Sequence, residues 1–278
     1  MNRAKVLICF YVMPLMLWAG ISTAVAQSTE ALLDKALAGD HRIEGNRARD
    51  KYRHPRETLL FFGLKPEMAV LEIWPGTGWY SEIIAPVLAQ QGKFYLAHYA
   101  VESSRTPNWQ REARNKHEAT FARRPDLYGK PVFTSLGPPE QVAIAPAGSL
   151  DLVLTFRNVH NWSNQKTDAQ VFKAFFDVLK PGGTLGVVEH RAHPGTPFEQ
   201  MVKSGYMTEA YVIELAEKAG FKLASKSEVN ANPKDTKDHP NGVWTLPPMS
   251  RGRLNPEKYL AIGESDRMTL KFEKPTAK

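Results

Sequence analysis

A glycine-rich segment follows a short apolar run near residue 70. Residues 70–73, Val-Leu-Glu-Ile, predict a strand, and residues 74–78 read Trp-Pro-Gly-Thr-Gly. Residues 80–91 then have helical apolar spacing, and Lys93–Tyr99 predicts a second strand. Glycines between a strand and a helix let the backbone approach a ligand, which faces the amide groups of the helix start. The segment therefore predicts a nucleotide-binding loop, although it lacks the Gly-Lys-Ser/Thr of a P-loop and the third glycine of the dinucleotide fingerprint.

Polar side chains follow the apolar run Leu150–Phe156, which predicts a central strand. Arg157, Asn158 and His160 come directly after it. Ligands of open α/β sheets bind at the carboxyl ends of the strands, so we expect these residues at a binding site. A neutral His160 could accept a proton from an acceptor hydroxyl or an acidic carbon, and the alternative is a histidine that supports the site or caps a helix.

Several other residues are candidates for contact with an acceptor. Arg157 and Asn158 could bind a carboxylate, or they could be a surface arginine and a turn asparagine. His190 and Arg191 end another predicted strand and share the same sheet edge. His190 and His193 are three residues apart, but no third ligand is indicated and we predict no metal site. Further acceptor candidates are the aromatic and basic residues Tyr52, His54, Tyr80 and Trp162.

Predicted strands and helices alternate from residue 69 to residue 229, which is typical of a parallel, doubly wound sheet. Residues 27–63 precede this pattern and are charged with helical spacing, so we expect a helical lid. Residues 230–262 are polar, proline-rich and irregular, and a last strand follows at residues 268–272. A loop of this length usually has a function or is disordered, and we interpret it as a cover over the acceptor.

The first 26 residues have the pattern of a signal peptide. Arg3 and Lys5 precede an apolar run of about 16 residues, which is short for a membrane span, and Ala24-Val-Ala26 resembles a cleavage site. We expect residues 1–26 to be removed and residues 27–278 to form one domain, exported to the periplasm without stable membrane insertion. An uncleaved anchor is the alternative.

Charge and cysteine content exclude several classes of function. The chain has 278 residues and a formal charge of +7, and its one cysteine is Cys9. A lone cysteine excludes a disulfide framework and a cysteine-rich metal site. Loss of Arg3 and Lys5 would leave a charge of +5, without a basic run dense enough to predict nucleic-acid binding. We therefore expect a small-molecule partner, and the sequence gives no oligomeric state.

Three segments together resemble class I S-adenosylmethionine-dependent methyltransferases. Residues 70–78 resemble their first motif, residues 179–185 (Leu-Lys-Pro-Gly-Gly-Thr-Leu) resemble the turn before their fifth strand, and residues 155–162 resemble the segment after their fourth strand. Residues 52–55 (Tyr-Arg-His-Pro) and 74–76 (Trp-Pro-Gly) further resemble a group of exported predicted methyltransferases of unassigned substrate. The resemblance implies an α/β, Rossmann-like doubly wound sheet of about seven strands, mostly parallel with an antiparallel last strand.

The resemblance also implies roles for individual residues. Glu72 matches the acid that orients the methionine end of the cofactor, and Gly76 and Gly78 match the glycines that pass under it. Trp74 stands where the family has a glycine, so its indole would narrow or wall the pocket. Glu102 is the available acid for the ribose, displaced by a residue or two. The expected cofactor-binding residues are thus Glu72, Trp74, Pro75, Gly76, Gly78, Glu102 and Asn158.

The resemblance predicts S-adenosylmethionine as cofactor and methyl transfer to a small, partly apolar acceptor. The position of His160 after the predicted central strand makes it our candidate for the catalytic base. In such reactions the enzyme aligns the nucleophile and the methyl group, and the cofactor supplies the reactivity. Trp74 and the displaced Glu102 favour a second hypothesis, an exported ligand-binding protein without catalytic activity on the same scaffold. The export pattern favours it too, because the cofactor is made in the cytoplasm.

Overall fold

The computed structural model describes residues 27–104, 106–252 and 255–276. The predicted signal peptide, residues 1–26 with Cys9, lies outside the described residues. The seven strands of the sheet are β1 Ala69–Ile73, β2 Lys93–Tyr99, β3 Val132–Leu136, β4 Leu150–Phe156, β5 Leu179–His190, β6 Lys222–Ser227 and β7 Arg267–Glu273.

The strands form one sheet in the order β3-β2-β1-β4-β5-β7-β6. The first five strands pair in parallel, and β7 is antiparallel to both of its neighbours, β5 and β6. This confirms the predicted Rossmann-like fold class, with seven strands and an antiparallel last strand. The chain reverses its strand order beside β1, so the crevice at the carboxyl ends of β1 and β4 is where such a sheet binds ligands.

Helices cover both faces of the sheet. They are α1 Thr29–Ala38, α2 Glu44–Arg47, α3 Asp50–Arg53, α4 Pro55–Phe62, α5 Ser81–Leu88, α6 Asn108–Ala122, α7 Pro125–Tyr128, α8 Val159–Asn164, α9 Asp168–Val178, α10 Phe198–Ser204, α11 Glu209–Lys218 and α12 Pro256–Ile262. A 3₁₀ turn spans Gly242–Thr245. Within the described residues, no helix combines the length and the apolar character that a membrane span requires.

Two apolar cores, one on each face, explain why the strands read as continuous apolar runs. Successive strand residues point to opposite faces, so Leu71 and Val153 belong to one core, while Val70 and Leu152 belong to the other. All four side chains are fully buried. The sheet is therefore fixed from both sides, and its carboxyl edge is a rigid base for a site.

Two segments differ from the sequence expectation. The predicted turn at residues 180–183 lies inside β5 as an irregularity, because Leu179 pairs with Leu150 and Thr184 pairs with Leu152. The segment 230–262, expected to be irregular, contains the 3₁₀ turn and helix α12. Asn255 caps α12 by accepting a hydrogen bond from the Lys258 amide at 3.3 Å. An asparagine cap followed by Pro256 at the first helical position is a local start signal that the sequence did contain.

Candidate active site

A cavity of about 390 Å³ lies at the carboxyl ends of β1, β4 and β5. Its walls come from the loop after β1, the segment after β4, the end of β5, the N-terminal helical region and the segment 243–251. Of the predicted site residues, the cavity is lined by Trp74, Pro75, Gly76, Arg157, Asn158, His160 and His190. The topology thus brings these five parts of the sequence, together with Tyr99, Ser265 and Arg267, to one edge of the sheet.

The glycine loop has the backbone conformation that its sequence requires. Gly76 has a φ of 62° and Gly78 a φ of 87°, both in the left-handed region that glycine adopts without strain. A Cβ at Gly76 would meet nothing within 4 Å, because the residue faces open space. A Cβ at Gly78 would lie 2.6 Å from Nε2 of His117. Gly76 therefore leaves room for a ligand, whereas Gly78 leaves room for a neighbouring side chain.

His98, on β2, holds the glycine loop. Its Nδ1 accepts a hydrogen bond from the Tyr99 amide at 2.9 Å, so its Nε2 carries the proton and donates to the Gly76 carbonyl at 3.1 Å. Burial and, to a lesser extent, the neighbouring His117 lower the pKa of His98 to about 3. The imidazole is therefore neutral at physiological pH, as the two hydrogen bonds require.

Glu72 lies beneath the loop and not in the cavity lining. It is 2 % exposed, and it accepts a hydrogen bond from the Ser81 hydroxyl at 2.6 Å, at the first residue of α5. Burial raises the pKa of Glu72 to about 8, although the Ser81 hydrogen bond opposes the shift. The acid thus connects the end of β1 to the start of α5 and fixes the loop between them.

Trp74 separates two cavities. Its backbone adopts a φ of 45°, and its indole donates to the Leu136 carbonyl at 2.9 Å. The ring lies 5.4 Å from the ring of Tyr99 and 5.4 Å from that of Trp162. Trp74 and Tyr99 line both the first cavity and a second one of about 410 Å³, which extends towards the ends of β2 and β3. The indole is therefore a wall shared by the two cavities.

His160, at the start of α8, is oriented by Glu189 of β5. Its Nδ1 lies 3.0 Å from Oε1 of Glu189, and its backbone amide donates to Oε2 of the same carboxylate at 3.2 Å. An ionised carboxylate only accepts, so Nδ1 carries the proton and Nε2 keeps its lone pair. Glu189 is fully buried and His160 is 7 % exposed at the cavity. This pairing gives His160 the tautomer of a general base.

His190 completes a group of three potential metal ligands with His160 and Glu189. Their atoms already bond to one another or to neighbours: Oε1 of Glu189 also accepts from the His190 amide at 2.7 Å, and Nδ1 of His190 lies 2.5 Å from the Ser265 hydroxyl. Burial, followed by His160 and nearby arginines, lowers the pKa of His190, so its ring is neutral. These hydrogen bonds favour a proton-transfer site over a metal centre, and the absence of a metal stays a prediction.

Four arginines form what we term the arginine cluster: Arg49, Arg53, Arg157 and Arg267. Glu264 pairs with Arg49 at 2.6 Å, with Arg53 at 3.1 Å and with Arg267. Burial alone would raise the pKa of Glu264, but Arg267 and Arg53 hold it well below its usual range. Because β7 is antiparallel to β5, its first residue lies at the carboxyl edge of the sheet. That residue is Arg267, which pairs with His190.

Asn158 ties β1 to β4. Its side-chain amide donates to the Ile73 carbonyl at 3.0 Å and to the Thr155 hydroxyl at 3.2 Å. It also lines the cavity, beside Arg157, whose φ of 62° turns the chain at the end of β4. The segment after β4 is therefore held in place from below while it faces the cavity.

Eight predicted site residues lie outside the lining of both cavities: Glu72 and Gly78, described above, and six others. Tyr80 stacks on Phe156 at 3.5 Å, and Trp162 is fully buried against Trp74 and Phe175. Arg191 forms ion pairs with Asp266, Glu209 and Glu228. Tyr52 accepts from Arg267 through its carbonyl, His54 joins α3 to α4, and Glu102 is exposed beside Ser135. Tyr80, Trp162 and Tyr52 contact residues of the cavity lining without lining it themselves, so the prediction that these six residues contact a ligand directly finds no support in either cavity.

Sequence reasoning missed Glu189, Arg267 and Glu264 as site residues. Glu189 read as part of an apolar strand, although an acid inside such a run is itself a signal, since a buried charge needs a partner. Arg267 and Glu264 lie more than 200 residues from Arg49 and Arg53 in sequence, so no local spacing could have connected them.

The sequence matches no protein-family model and no curated protein. The fold is similar to a S-adenosylmethionine-dependent methyltransferase from Aquifex aeolicus, at 17 % identity and a TM-score of 0.53, over 88 % of this chain and 98 % of that one. It is similar to another from Methanosarcina mazei, at 15 % identity and a TM-score of 0.51, over 79 % and 98 %. The cyclase SpnF, at 15 % identity and a TM-score of 0.54, matches over 90 % and 93 %. The chain therefore has the class I methyltransferase fold.

Proposed function

We propose that the protein is a S-adenosylmethionine-dependent methyltransferase that acts on a small molecule. The observation that carries the proposal is that a histidine held as a base by a buried glutamate shares one cavity with the open face of Gly76. Two of the solved structures with this fold are described as S-adenosylmethionine-dependent methyltransferases. The cyclase shows that the fold alone does not decide the reaction, so the site must.

The residues present fit the cofactor. The space that a Cβ would fill at Gly76 is open, and the backbone of residues 75–77 lines the cavity. Bound there, S-adenosylmethionine would supply an electrophilic methyl group. Pro75, Gly76 and Asn158 would hold the cofactor. Trp74 and Tyr99 would form the wall between this cavity and the second one. Glu72 acts indirectly in this proposal, because it fixes the loop through Ser81.

His160 would accept the proton that the acceptor loses. Its Nε2 is the free ring atom, and Glu189 stabilises the positive charge that develops on the ring. The neighbouring His190 is neutral and hydrogen-bonded to Ser265, so it would orient the acceptor without competing for the proton. The arrangement fits an acceptor with a hydroxyl group or an acidic carbon.

The test is product formation from S-adenosylmethionine with a labelled methyl group and a small-molecule extract. Mass spectrometry should find a labelled compound with the wild type, and at least about 100-fold less of it in the same time with His160→Gln. Label transfer that is equal in both proteins would contradict the role of His160, and transfer by neither would contradict the enzyme.

Trp74 favours a second candidate, a non-catalytic ligand-binding protein on the same scaffold. Its indole occupies the wall between the cavities, at the position where the resemblance to class I methyltransferases implies a glycine, and its hydrogen bond to the Leu136 carbonyl anchors it there. Tight binding of S-adenosylhomocysteine or of another ligand, without label transfer to any acceptor, would favour this candidate.

We infer further that the protein is exported to the periplasm, with residues 1–26 as its signal peptide. The basic start, the short apolar run and the Ala-Val-Ala site support this inference. A reporter enzyme fused after Gln27 should be exported with residues 1–26 present and retained without them. Retention in both cases would contradict export.

A further inference from the structure

The cavity that contains His160 has an extreme charge imbalance. Its lining includes five arginines, namely Arg49, Arg53, Arg157, Arg251 and Arg267, and none of the described lining residues is an aspartate or a glutamate. Glu264 lies behind the lining and pairs with three of the arginines. With every group ionised, the arginine cluster and Glu264 carry an excess of three positive charges, and Arg251 adds another.

The protein leaves part of this cluster without partners. Nη2 of Arg49, Nη2 of Arg53 and Nε of Arg267 are buried and have no hydrogen-bond partner in the described structure. An unpaired buried donor costs about 1–3 kcal/mol, and more when it is charged. Arg53 and Arg267 are 1 % and 2 % exposed, and no protein atom of the described residues pairs with these donors. Such donors fit an anionic ligand that completes the set.

The electrostatic strain within the cluster points the same way. Burial, followed by the charge of Arg267, lowers the pKa of Arg157 to about 10. Burial, followed by the charge of Arg157, lowers the pKa of Arg53 as well. Burial and the neighbouring positive charges thus both disfavour the charged forms of Arg53 and Arg157, and an anion between them would relieve the repulsion.

The cofactor would not balance this charge. S-adenosylmethionine carries a sulfonium and an ammonium against a single carboxylate, so it brings a net positive charge into the site. If its carboxylate contacted one arginine, at least two uncompensated positive charges would remain. An anionic second reactant would supply the compensating charge.

We propose that the acceptor is an oxyanion with at least two negative charges, such as a dicarboxylate or a phosphate monoester, bound by the arginine cluster together with Arg251, which lines the same cavity. This inference rests on the proposed methyl transfer for the word acceptor, but the anion site itself does not. Arginine suits this task because its planar fork of donors matches carboxylate and phosphate oxygens. His160 and the arginine cluster share the cavity, so the arginines would fix the anionic end while the histidine acts on the reacting group.

The test is calorimetry of the purified protein at pH 8 with malonate and with inorganic phosphate, compared with acetate as the monoanion. At least one dianion should bind about tenfold or more tightly than acetate, since each additional charge-assisted contact contributes about a factor of ten. The better of the two dianions then identifies the acceptor as a carboxylate or a phosphate. Equal affinities for acetate and both dianions, or no binding of any, would overturn the proposal.

Variants assign the binding to the cavity. Arg157→Gln should weaken the dianion about tenfold or more, and so should Arg251→Gln, whose exposed position keeps the fold intact. Arg123→Gln removes the same charge from an exposed residue outside the cavity and should change the affinity less than about twofold. An equal effect of Arg123→Gln and Arg251→Gln would overturn the site.

A last titration separates the acceptor from the cofactor. With S-adenosylhomocysteine at saturation, the dianion should bind with unchanged or higher affinity. Competition between the two would mean that the arginines hold the cofactor carboxylate, and would overturn the acceptor assignment. If S-adenosylhomocysteine does not bind but the dianion does, the anion site stands and the proposed methyl transfer fails.

Discussion

Glu189 receives a hydrogen bond from Nδ1 of His160 at 3.0 Å, and His160 lines the cavity whereas Glu189 does not. Glu189 lies at the end of β5. His160 lies at the start of α8, which follows β4, the parallel neighbour of β5. The pairing fixes both the tautomer and the orientation of the imidazole. A base held in this way needs no further movement to accept a proton.

His160→Gln should reduce the rate of methyl transfer by about 100-fold to 10,000-fold, because the amide can hydrogen-bond but cannot act as the base. Affinity for S-adenosylhomocysteine should not change. His193→Gln is the matched control, because His193 is exposed and lies outside the cavity. Turnover rates and calorimetry together check the split, and a parallel loss in both variants would contradict a role for His160 in proton transfer.

Gly76→Phe should abolish cofactor binding. Its φ of 62° makes any side chain there strained, by about 1–2 kcal/mol, but the side chain would enter open space at the cavity. Gly148→Phe has the same backbone cost, because Gly148 has a φ of 60°, also faces open space and is exposed. Thermal unfolding should be similar for the two variants, whereas only Gly148→Phe should still bind S-adenosylhomocysteine. Binding by both would place the cofactor elsewhere.

Trp74→Gly distinguishes the two candidate functions. Under the methyltransferase proposal the indole is a wall of the cofactor site, so its loss should weaken S-adenosylhomocysteine binding by about tenfold. An affinity that rises instead would mean that the indole obstructs the cofactor, as the binding-protein candidate requires. Trp162→Phe is the control, because Trp162 packs on Trp74 from outside the cavity and should leave the affinity unchanged. Calorimetry of the three proteins measures the difference.

His117 should make the fold sensitive to acid. Burial lowers its pKa to about 4, and neither ring nitrogen has a partner in the described structure. The unfolded chain therefore takes up a proton near pH 6.5 that the folded chain refuses, so the free energy of unfolding falls as pH decreases from about 6.5 towards 4. His117→Leu should remove about 2 kcal/mol of the difference between pH 7.5 and pH 5, measured by urea unfolding. An unchanged difference would show that the folded imidazole is protonated.

The sheet could be predicted because its signals are local. The predicted strands Lys93–Tyr99 and Leu150–Phe156 match the observed ones residue for residue, since six of the seven residues in each are buried and most of these are apolar. The glycine loop was equally accessible, because a strand, two glycines and a helix follow one another within about 20 residues. Gly76 accordingly lies where the sequence placed it, at the edge of a cavity.

The charge of the site could not be predicted, because it is assembled from distant segments. Arg49 and Arg53 meet Glu264 and Arg267 only after β7 inserts beside β5. The sequence also could not show which aromatic residues line the site, since apolar periodicity does not distinguish a residue in a cavity wall from a residue in the core. Trp162 is fully buried in a core, while Trp244, from the segment 243–251, lines the cavity.

The central claim, that the glycine loop binds S-adenosylmethionine or its product, is tested most directly by isothermal titration calorimetry with S-adenosylhomocysteine. We expect saturable binding of one molecule to the wild-type protein, and none to Gly76→Phe under the same conditions. If S-adenosylhomocysteine does not bind to the wild type while phosphate or malonate still binds, the central claim is contradicted.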